Sequence, residues 1–195
     1  MRADAARRRA ELVRAARHLF AERGSEVALE AVADAAGVGI ATLYRNFGSR
    51  TELADEVAVA ILDDVRIAAE TATRQMRHAP AAAWRAYVHE LVGLELGALS
   101  AALAVHLAAD LSPAVLAAQE TALAGVDDVL AQARAAGLVD AELSSLELVL
   151  AIGLLTRPLP EAVAREAPQL VARLTPILLG GMRSCGRQRD GAASP

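Results

Sequence analysis

The chain has no lysine, one cysteine and very few aromatic residues, and each scarcity narrows the possibilities. Its one cysteine, Cys185, can form neither an internal disulfide nor a cysteine-built metal site, and it fits a reducing cytoplasm. Aromatic residues are 3% of the chain, which argues against β-sandwiches and barrels because these folds need many aromatic and β-branched residues. No uninterrupted apolar run reaches about 18 residues, so no membrane span is expected.

Small apolar residues with strong helix propensity are abundant instead. The 195 residues are 54% apolar, so alanine, leucine and valine must build the core in place of aromatics. Alanine, leucine and arginine favour helices, and all 20 basic residues are arginine. We therefore predict an all-α protein, long enough for one large domain or for a small domain joined to a medium one.

Charge is unevenly distributed along the chain. Residues 1–50 contain nine arginines and six acidic residues, whereas residues 51–195 contain eleven arginines and eighteen acidic residues. A basic head on an acidic body indicates that only the head meets a polyanion. A difference of this size also fits chance, and charge alone leaves both interpretations open.

Apolar periodicity, glycines and capping residues divide the chain into helices. Gly24 is placed to end a helix in the left-handed conformation, and Gly37 and Gly137 end two others. Ser49 and Ser144 each begin a capping box. A rigid corner is expected at residues 157–160, and a helix kink at Pro176. The predicted helices span about residues 7–23, 29–36, 40–46, 50–77, 81–96, 98–109, 113–136, 145–156 and 168–184.

Residues 29–47 have the pattern of a helix-turn-helix. Two short helices meet at a tight turn centred on Gly37, and an amphipathic helix on each side supports them. Only Leu43 of the second helix points plainly inward, and Arg50 begins a long helix whose free N–H groups favour an anion. The outward residues have side chains that bond phosphates and base edges, and an ordinary surface helix is the alternative. These outward residues are Ile40, Thr42, Tyr44, Arg45 and Asn46.

Four runs of residues are more specific: Phe20 to Gly24, Val32 to Val38, Thr42 to Phe47 and Ser49 to Leu53. They lie in a gapless stretch of about residues 7–60, and together they resemble the signature of the TetR family of transcriptional regulators. The resemblance implies a dimeric one-component regulator, most simply a repressor, that binds a palindromic DNA operator and is released by a small-molecule effector. It implies a three-helix DNA-binding head and an all-helical effector-binding and dimerisation body. We place these domains at residues 1–48 and 49–184, with a disordered tail at residues 185–195.

The resemblance also implies roles for single residues. Thr42 and Tyr44 match positions that hold the DNA backbone, and Arg50 stands where the family typically has lysine. The recognition positions that set operator choice are Gly39, Ile40, Ala41, Arg45 and Asn46. Ala28 and Gly39 replace a common threonine and a common serine cap. A helical small-molecule-binding protein whose head no longer binds DNA is therefore the alternative function.

Two further features of the sequence have two interpretations each. The four arginines of the amino-terminal end form either an arm that follows the DNA or a solvated, disordered end; they are Arg2, Arg7, Arg8 and Arg9. The last two helices are unusually apolar, and a helix that is apolar on every side must be buried on every side. We predict a homodimer through these two helices, with a central helix buried in a monomer as the alternative.

The body has no recognisable catalytic or metal-binding pattern, so we expect no enzyme activity, no metal and no cofactor. Several of its residues share one helical stripe and form the predicted effector-binding set, with ordinary core packing as the alternative for each of them. The set is Trp84, Tyr87, Val88, Leu91 and Glu95, with His106 as a neighbour. Because aromatics are scarce, we expect an aliphatic cavity and a small or apolar effector.

Overall fold

The computed structural model describes residues 2–105, 111–140, 142–157 and 159–183. These ranges contain helices and no strand, so the predicted all-α class is confirmed. His106 and the tail at residues 185–195 lie outside the described residues. The described helices are α1 (Arg2–Arg23), α2 (Leu29–Ala35), α3 (Ile40–Asn46), α4 (Arg50–Met76), α5 (Pro80–Gly93), α6 (Leu96–Ala104), α7 (Pro113–Ala135), α8 (Ser145–Leu155), α9 (Glu161–Glu166) and α10 (Leu170–Gly181). None of them is both long and apolar enough to cross a membrane.

Most of the residues predicted to begin or end helices do so in the structure. Gly24, Gly37 and Gly137 have φ angles of 79°, 66° and 65°, a left-handed conformation that glycine adopts without the steric cost of a Cβ. At the start of α4, the Ser49 hydroxyl accepts a hydrogen bond from the backbone N–H of Glu52 at 3.1 Å. The Glu52 carboxylate accepts from the Gly48 N–H and not from that of Ser49, so only half of the predicted capping box forms there. Ser144 and its partner three residues on form a complete capping box at α8. These bonds satisfy N–H groups that the first turn of a helix leaves without partners.

The break between α5 and α6 differs from the prediction. It lies at Leu94 and Glu95, not at Gly97, which is buried inside α6. Glu95 adopts a left-handed conformation with φ 52°, so its predicted place on the α5 stripe is wrong. The reason is tertiary: an Arg17 guanidinium nitrogen donates to the Leu94 carbonyl at 2.8 Å, which satisfies an acceptor that the end of α5 leaves free.

Both ends of the chain also depart from the predicted boundaries. Helix α1 begins at Arg2 instead of Arg7, so the arginine-rich end is helical and the predicted disorder is wrong, while its contact with DNA stays a prediction. The short helix α9 follows the predicted corner and was not predicted, while α10 begins at Leu170 and continues through Pro176. Short helices such as α9 depend on tertiary contacts, since isolated helices of this length are unstable.

Helix α4 is the central helix of the fold. It contacts α1, α5, α6 and α7, and its contact with α7 is the most extensive. A Cβ placed on Gly125 of α7 would lie 3.2 Å from the Cβ of Ala69, so small residues let these two helices approach closely. The core consists mainly of leucine, valine and alanine, as the composition predicts.

Candidate functional site

Helices α2 and α3 form a helix-turn-helix that is packed on α1. The turn at Gly37 is closed by a hydrogen bond from the Val38 N–H to the Ala33 carbonyl at 3.0 Å. Val32 of α2 and Leu43 of α3 are fully buried, as is Phe20 of α1. These apolar anchors set which side of α3 faces outward.

The outward side of α3 is polar and accessible. Tyr44 is 52% exposed, and Gly39, Ala41 and Arg45 are exposed beside it. Thr42, Asn46 and Ile40 are partly buried at its margins. The structure thus brings together all the α3 residues predicted to face DNA, over two helical turns.

Three of these side chains, those of Thr42, Arg45 and Asn46, are engaged within α3 itself. An Arg45 guanidinium nitrogen donates to the Thr42 hydroxyl at 3.0 Å, and the Asn46 amide donates to the Thr42 carbonyl at 2.8 Å. Side chains that are already oriented lose less freedom when they bind a partner. The outward side is therefore partly ordered in the absence of a ligand.

The starts of α2 and α3 lack the side-chain caps that α4, α7 and α8 have. Ala28 and Gly39 hold the N-cap positions, and neither makes a side-chain capping bond. An uncapped start typically costs a helix about 1 kcal/mol relative to serine or threonine, and less where the residue is glycine. Both sequence departures therefore have the local consequence that the residue types predict.

Arg50 lies at the start of α4, as predicted, and two of its donors are occupied. Its guanidinium donates to the Ser25 carbonyl at 2.9 Å and to the Val27 carbonyl at 2.5 Å. These bonds attach the loop between α1 and α2 to the start of α4. A guanidinium has five N–H donors, so the predicted contact of Arg50 with a phosphate stays a prediction.

Arg17 is a functional candidate that the sequence did not indicate. Its side chain on α1 is only 19% exposed and reaches Asp64 on α4 at 2.5 Å. It also donates to the Leu94 carbonyl, and its Nε lies 4.0 Å from the Glu95 carboxylate. One guanidinium therefore joins α1 both to α4 and to the break between α5 and α6 at Leu94 and Glu95, which we call the α5–α6 elbow.

Four members of the predicted effector-binding set are buried on one side of α5. Trp84, Tyr87, Val88 and Leu91 are at most 1% exposed, and the Trp84 and Tyr87 rings lie 6.2 Å apart. The Trp84 indole nitrogen and the Tyr87 hydroxyl find no hydrogen-bond partner among the described residues. Burial, with a smaller effect of Glu90, raises the pKa of Tyr87 well above its ordinary value.

An enclosed apolar cavity lies elsewhere, between α4, α6, α7 and α8. Its volume is about 70 Å³, and none of the described residues of the predicted set lines it. Its wall is aliphatic, and Ser100 and Gln119 are its polar side chains. The other lining residues are Leu62, Leu96, Leu99, Leu103, Val115, Leu123, Leu146, Val149, Leu150 and Gly153.

An exposed apolar surface runs along α8 and α10. Leu154 is 71% exposed and Ile177 is 67% exposed, values that are unusual for large apolar side chains. The opposite side of α8 is buried, with Leu148 and Ile152 fully covered. We call the following residues the α8–α10 surface: Leu146, Leu150, Leu154, Leu170, Leu174 and Ile177.

Known proteins resemble both this head and this body. Residues 12–57 match the sequence model of the family described as bacterial regulatory proteins, tetR family. A TetR transcription regulatory protein from Mycobacterium vanbaalenii is similar with a TM-score of 0.60 and 29% identity, over 93% of this chain and 98% of that one. A TetR transcriptional regulator from Streptomyces coelicolor is similar with a TM-score of 0.59 and 25% identity, over 90% of this chain and 98% of that one. No curated protein sequence matches the chain.

Replacing Tyr87 by phenylalanine tests the buried hydroxyl. At pH 7 we expect Tyr87→Phe to leave the free energy of unfolding unchanged or to raise it by up to about 1 kcal/mol, because a polar group without a partner is removed. Above about pH 10 the unfolded chain releases the tyrosine proton while the folded chain keeps it, so wild-type stability falls as pH rises. The Tyr87→Phe variant should lack the part of this decrease in stability that comes from the Tyr87 proton.

Urea unfolding at pH 7 and pH 10.5 measures both effects. Tyr44→Phe is the matched control, since Tyr44 is exposed and its replacement should change stability little. If Tyr87→Phe lowered the free energy of unfolding at pH 7 by more than about 1 kcal/mol, the hydroxyl would have a hydrogen-bond partner in solution.

Proposed function

We propose that this chain, which belongs to the TetR family of bacterial regulatory proteins, is a homodimeric cytoplasmic repressor released from its operator by a small apolar effector. The outer side of α3 carries the proposal. Tyr44 is 52% exposed there, on a helix that the fully buried Leu43 anchors to the head. Tyrosine, threonine, arginine and asparagine are the side chains that such a helix uses for phosphates and base edges.

A two-fold dimer would require an operator with matching symmetry. Each head would place α3 in a major groove, and the two half-sites would lie about 34–36 Å apart, or further if the heads are set wider. The excess of arginine over acidic residues in residues 1–50 supports contact between the head and a polyanion.

The uncapped starts of α2 and α3 favour the alternative function, a helical small-molecule-binding protein whose head no longer binds DNA. Fluorescence anisotropy with the DNA upstream of the protein's own gene separates the two. A scrambled duplex of equal length, at the same salt concentration, is the reference because non-specific binding depends strongly on salt. Preferential binding to the upstream DNA supports the repressor, and equal binding to both duplexes supports the alternative.

Tyr44→Phe tests the predicted contact with the DNA backbone. Losing one hydrogen bond to a charged phosphate should cost about 1.5–3 kcal/mol, or about 10- to 150-fold in Kd. Because phosphate contacts position the protein without reading sequence, the loss should be similar for the operator and for scrambled DNA. Anisotropy titrations measure both constants, with Tyr87→Phe as the matched buried control. A changed operator preference at unchanged affinity for the best site would contradict this role.

A second copy of the chain is the proposed cover for the α8–α10 surface. Leu154 of α8 lines one surface groove with Leu170 and Leu174 of α10, and Leu154 and Ile177 are both more than half exposed. Large exposed apolar areas are rare on monomeric proteins. The buried opposite side of α8 argues against the monomer alternative, in which the helix would be covered on every side. A two-fold axis would pair α8 and α10 with the same helices of the partner.

Leu154→Glu tests this interface without altering the wall of the cavity. We expect monomers in sedimentation velocity with helical circular dichroism close to wild type, because a carboxylate in a dry interface costs several kcal/mol whereas on a free surface it costs little. Ile67→Glu is the control, since Ile67 is a half-exposed apolar residue on α4, outside this surface. Dimers that persist in Leu154→Glu at the same concentration would contradict the interface.

The aliphatic cavity is the proposed effector site. Its leucine and valine walls suit an apolar molecule, while Ser100 and Gln119 can hydrogen-bond one polar group. At about 70 Å³ it is smaller than most ligand sites, so an effector must push its helices apart to enter. A ligand that fits only the opened body shifts the equilibrium by its differential affinity for that state.

Helix α6 connects this cavity to the head. Leu99 and Leu103 of α6 line the cavity, and the elbow at Leu94 that precedes α6 is held by Arg17 of α1. A displacement of α6 would therefore change the support of α1, and with it the position of the helix-turn-helix. By linkage, operator binding must weaken effector binding by the same factor by which effector binding weakens operator binding.

Gly153→Leu tests the location of the effector site. A Cβ on Gly153 would make ordinary contacts, the nearest being the Leu96 carbonyl oxygen at 3.6 Å, so Gly153→Ala is a mild control. A leucine there should occupy the cavity. The probe is 1-hexanol, which has an alkyl chain and one hydroxyl. The 1-hexanol concentration needed to release the operator should then rise by at least about tenfold. Operator anisotropy measures release once thermal melting has established that both variants fold.

The fluorescence of Trp84, the chain's one tryptophan, distinguishes this site from the α5 stripe. Release that Gly153→Leu blocks, without a shift in Trp84 emission, supports the aliphatic cavity. Release that persists in Gly153→Leu with a shifted emission would instead support the effector-binding set predicted from the sequence.

A further inference from the structure

We propose that Arg9 is a positioning residue that fixes the recognition helix α3, so that it controls discrimination between DNA sequences without touching DNA. The inference rests on the DNA-binding function proposed above. It is independent of the residues assigned there, because Arg9 lies on α1 and not on the outward side of α3. Its basis is the set of contacts that meet at the Arg9 guanidinium.

One side of the guanidinium holds the end of α3. Its Nη1 donates to the carbonyl of Asn46, the last residue of α3, at 2.5 Å. The guanidinium carbon lies over the ring of Phe47 at 4.2 Å from the centroid, and Phe47 is fully buried. The last carbonyls of a helix lack partners within the helix and have partial negative charge, so a cation that donates to them stabilises this end.

The other side of the guanidinium holds the start of α4. Its Nη2 lies 2.8 Å from the Glu56 carboxylate and 3.5 Å from the Glu52 carboxylate. Glu52 also accepts a hydrogen bond from the Gly48 N–H at 2.8 Å, in the link between α3 and α4. Arg9 therefore joins α1, the end of α3 and the start of α4 at one point.

These carboxylates leave Arg9 poorly suited to bind a phosphate. The hydrogen bond to Glu56 and the charges of both carboxylates raise the pKa of Arg9, so the group stays charged and paired. Its side chain is 34% exposed, whereas that of Arg7, two residues earlier on the same helix, is 69% exposed. A phosphate approaching Arg9 would meet two negative charges beside it.

The orientation of α3 depends strongly on this end. The helix has seven residues, and Leu43 is its one fully buried side chain among the described residues. Its start has no side-chain cap, so the Arg9 contacts are the main polar attachment of the helix to the rest of the head. Base readout requires exact hydrogen-bond geometry, each good bidentate pair being worth about 1–3 kcal/mol, whereas phosphate attraction tolerates a shift.

Arg9→Gln tests the proposal, with Arg14→Gln as the matched control because Arg14 is an exposed arginine of the same helix. Kd values for operator and scrambled DNA are measured over a range of salt concentrations. We expect Arg9→Gln to lower the ratio of specific to non-specific affinity by about tenfold, the scale of one lost base contact, with an unchanged salt dependence. The control should keep the wild-type ratio.

A direct phosphate contact predicts a different result. It would reduce the slope of log K against log salt by about 0.9 and weaken operator and scrambled DNA equally, and that outcome would overturn the proposal. Arg9→Lys, which keeps the charge but cannot bond Asn46 and Glu56 through a planar fork, should lie between wild type and Arg9→Gln. It also serves as the test variant if Arg9→Gln does not fold.

Hydrogen exchange in the DNA-free protein separates failure of this inference from failure of the proposed function. The amides of α3 should exchange faster in Arg9→Gln than in wild type or Arg14→Gln, because the helix end is released. Unchanged α3 protection would overturn the positioning role whether or not the protein binds DNA. Wild-type protein that binds operator and scrambled DNA equally would overturn the repressor proposal, while faster exchange of α3 would still support the Arg9 contacts.

Discussion

Helix α4 approaches α7 so closely that a Cβ added to Gly125 would lie 3.2 Å from the Cβ of Ala69. This spacing is possible because the facing side chains are small, and it buries the length of both helices at high packing density. The start of α4 is bonded to the loop between α1 and α2 through Arg50 and to α1 through Glu56, and α4 also contacts α5 and α6. The position of the helix-turn-helix relative to the cavity is therefore determined by how α4 packs.

Arginine side chains hold the helices and loops around α4 in place. Arg9, Arg17 and Arg50 each donate to a backbone carbonyl at a helix end or in a loop, respectively at Asn46, Leu94 and Ser25. The planar guanidinium suits this use because it can bond a carbonyl on one side and a carboxylate or second carbonyl on the other. Each of these bonds joins elements that are far apart in the sequence, so each constrains the relative positions of helices.

Helix α8 brings together the proposed effector site and the proposed dimer interface. Leu146 and Leu150 line the cavity and also belong to the exposed α8–α10 surface. A second copy on this surface would cover one side of the cavity and restrict how far α8 can move when a ligand enters. Effector binding and dimerisation would then be linked through the same side chains, and effector affinity would depend on protein concentration.

The sequence by itself determined the helical class, most helix boundaries, the helix-turn-helix and the outward side of α3. These features depend on interactions within a few residues: the cap at Ser49, the left-handed turn at Gly37 and the apolar spacing around Leu43. Extending the α1 stripe backwards from Leu12 would also have placed Arg9 on the inward side, by the three-residue spacing of a helix face.

The tertiary structure alone decided which partners these residues meet. Arg9 reaches a carbonyl 37 residues away, and Arg17 reaches one 77 residues away, at the elbow where a glycine break was wrongly predicted. The cavity likewise combines side chains from four helices, and the aromatic stripe of α5 is buried instead of lining it. Helix periodicity predicts that a side chain is buried, but only the packing of distant helices determines whether it fills the core or borders a cavity.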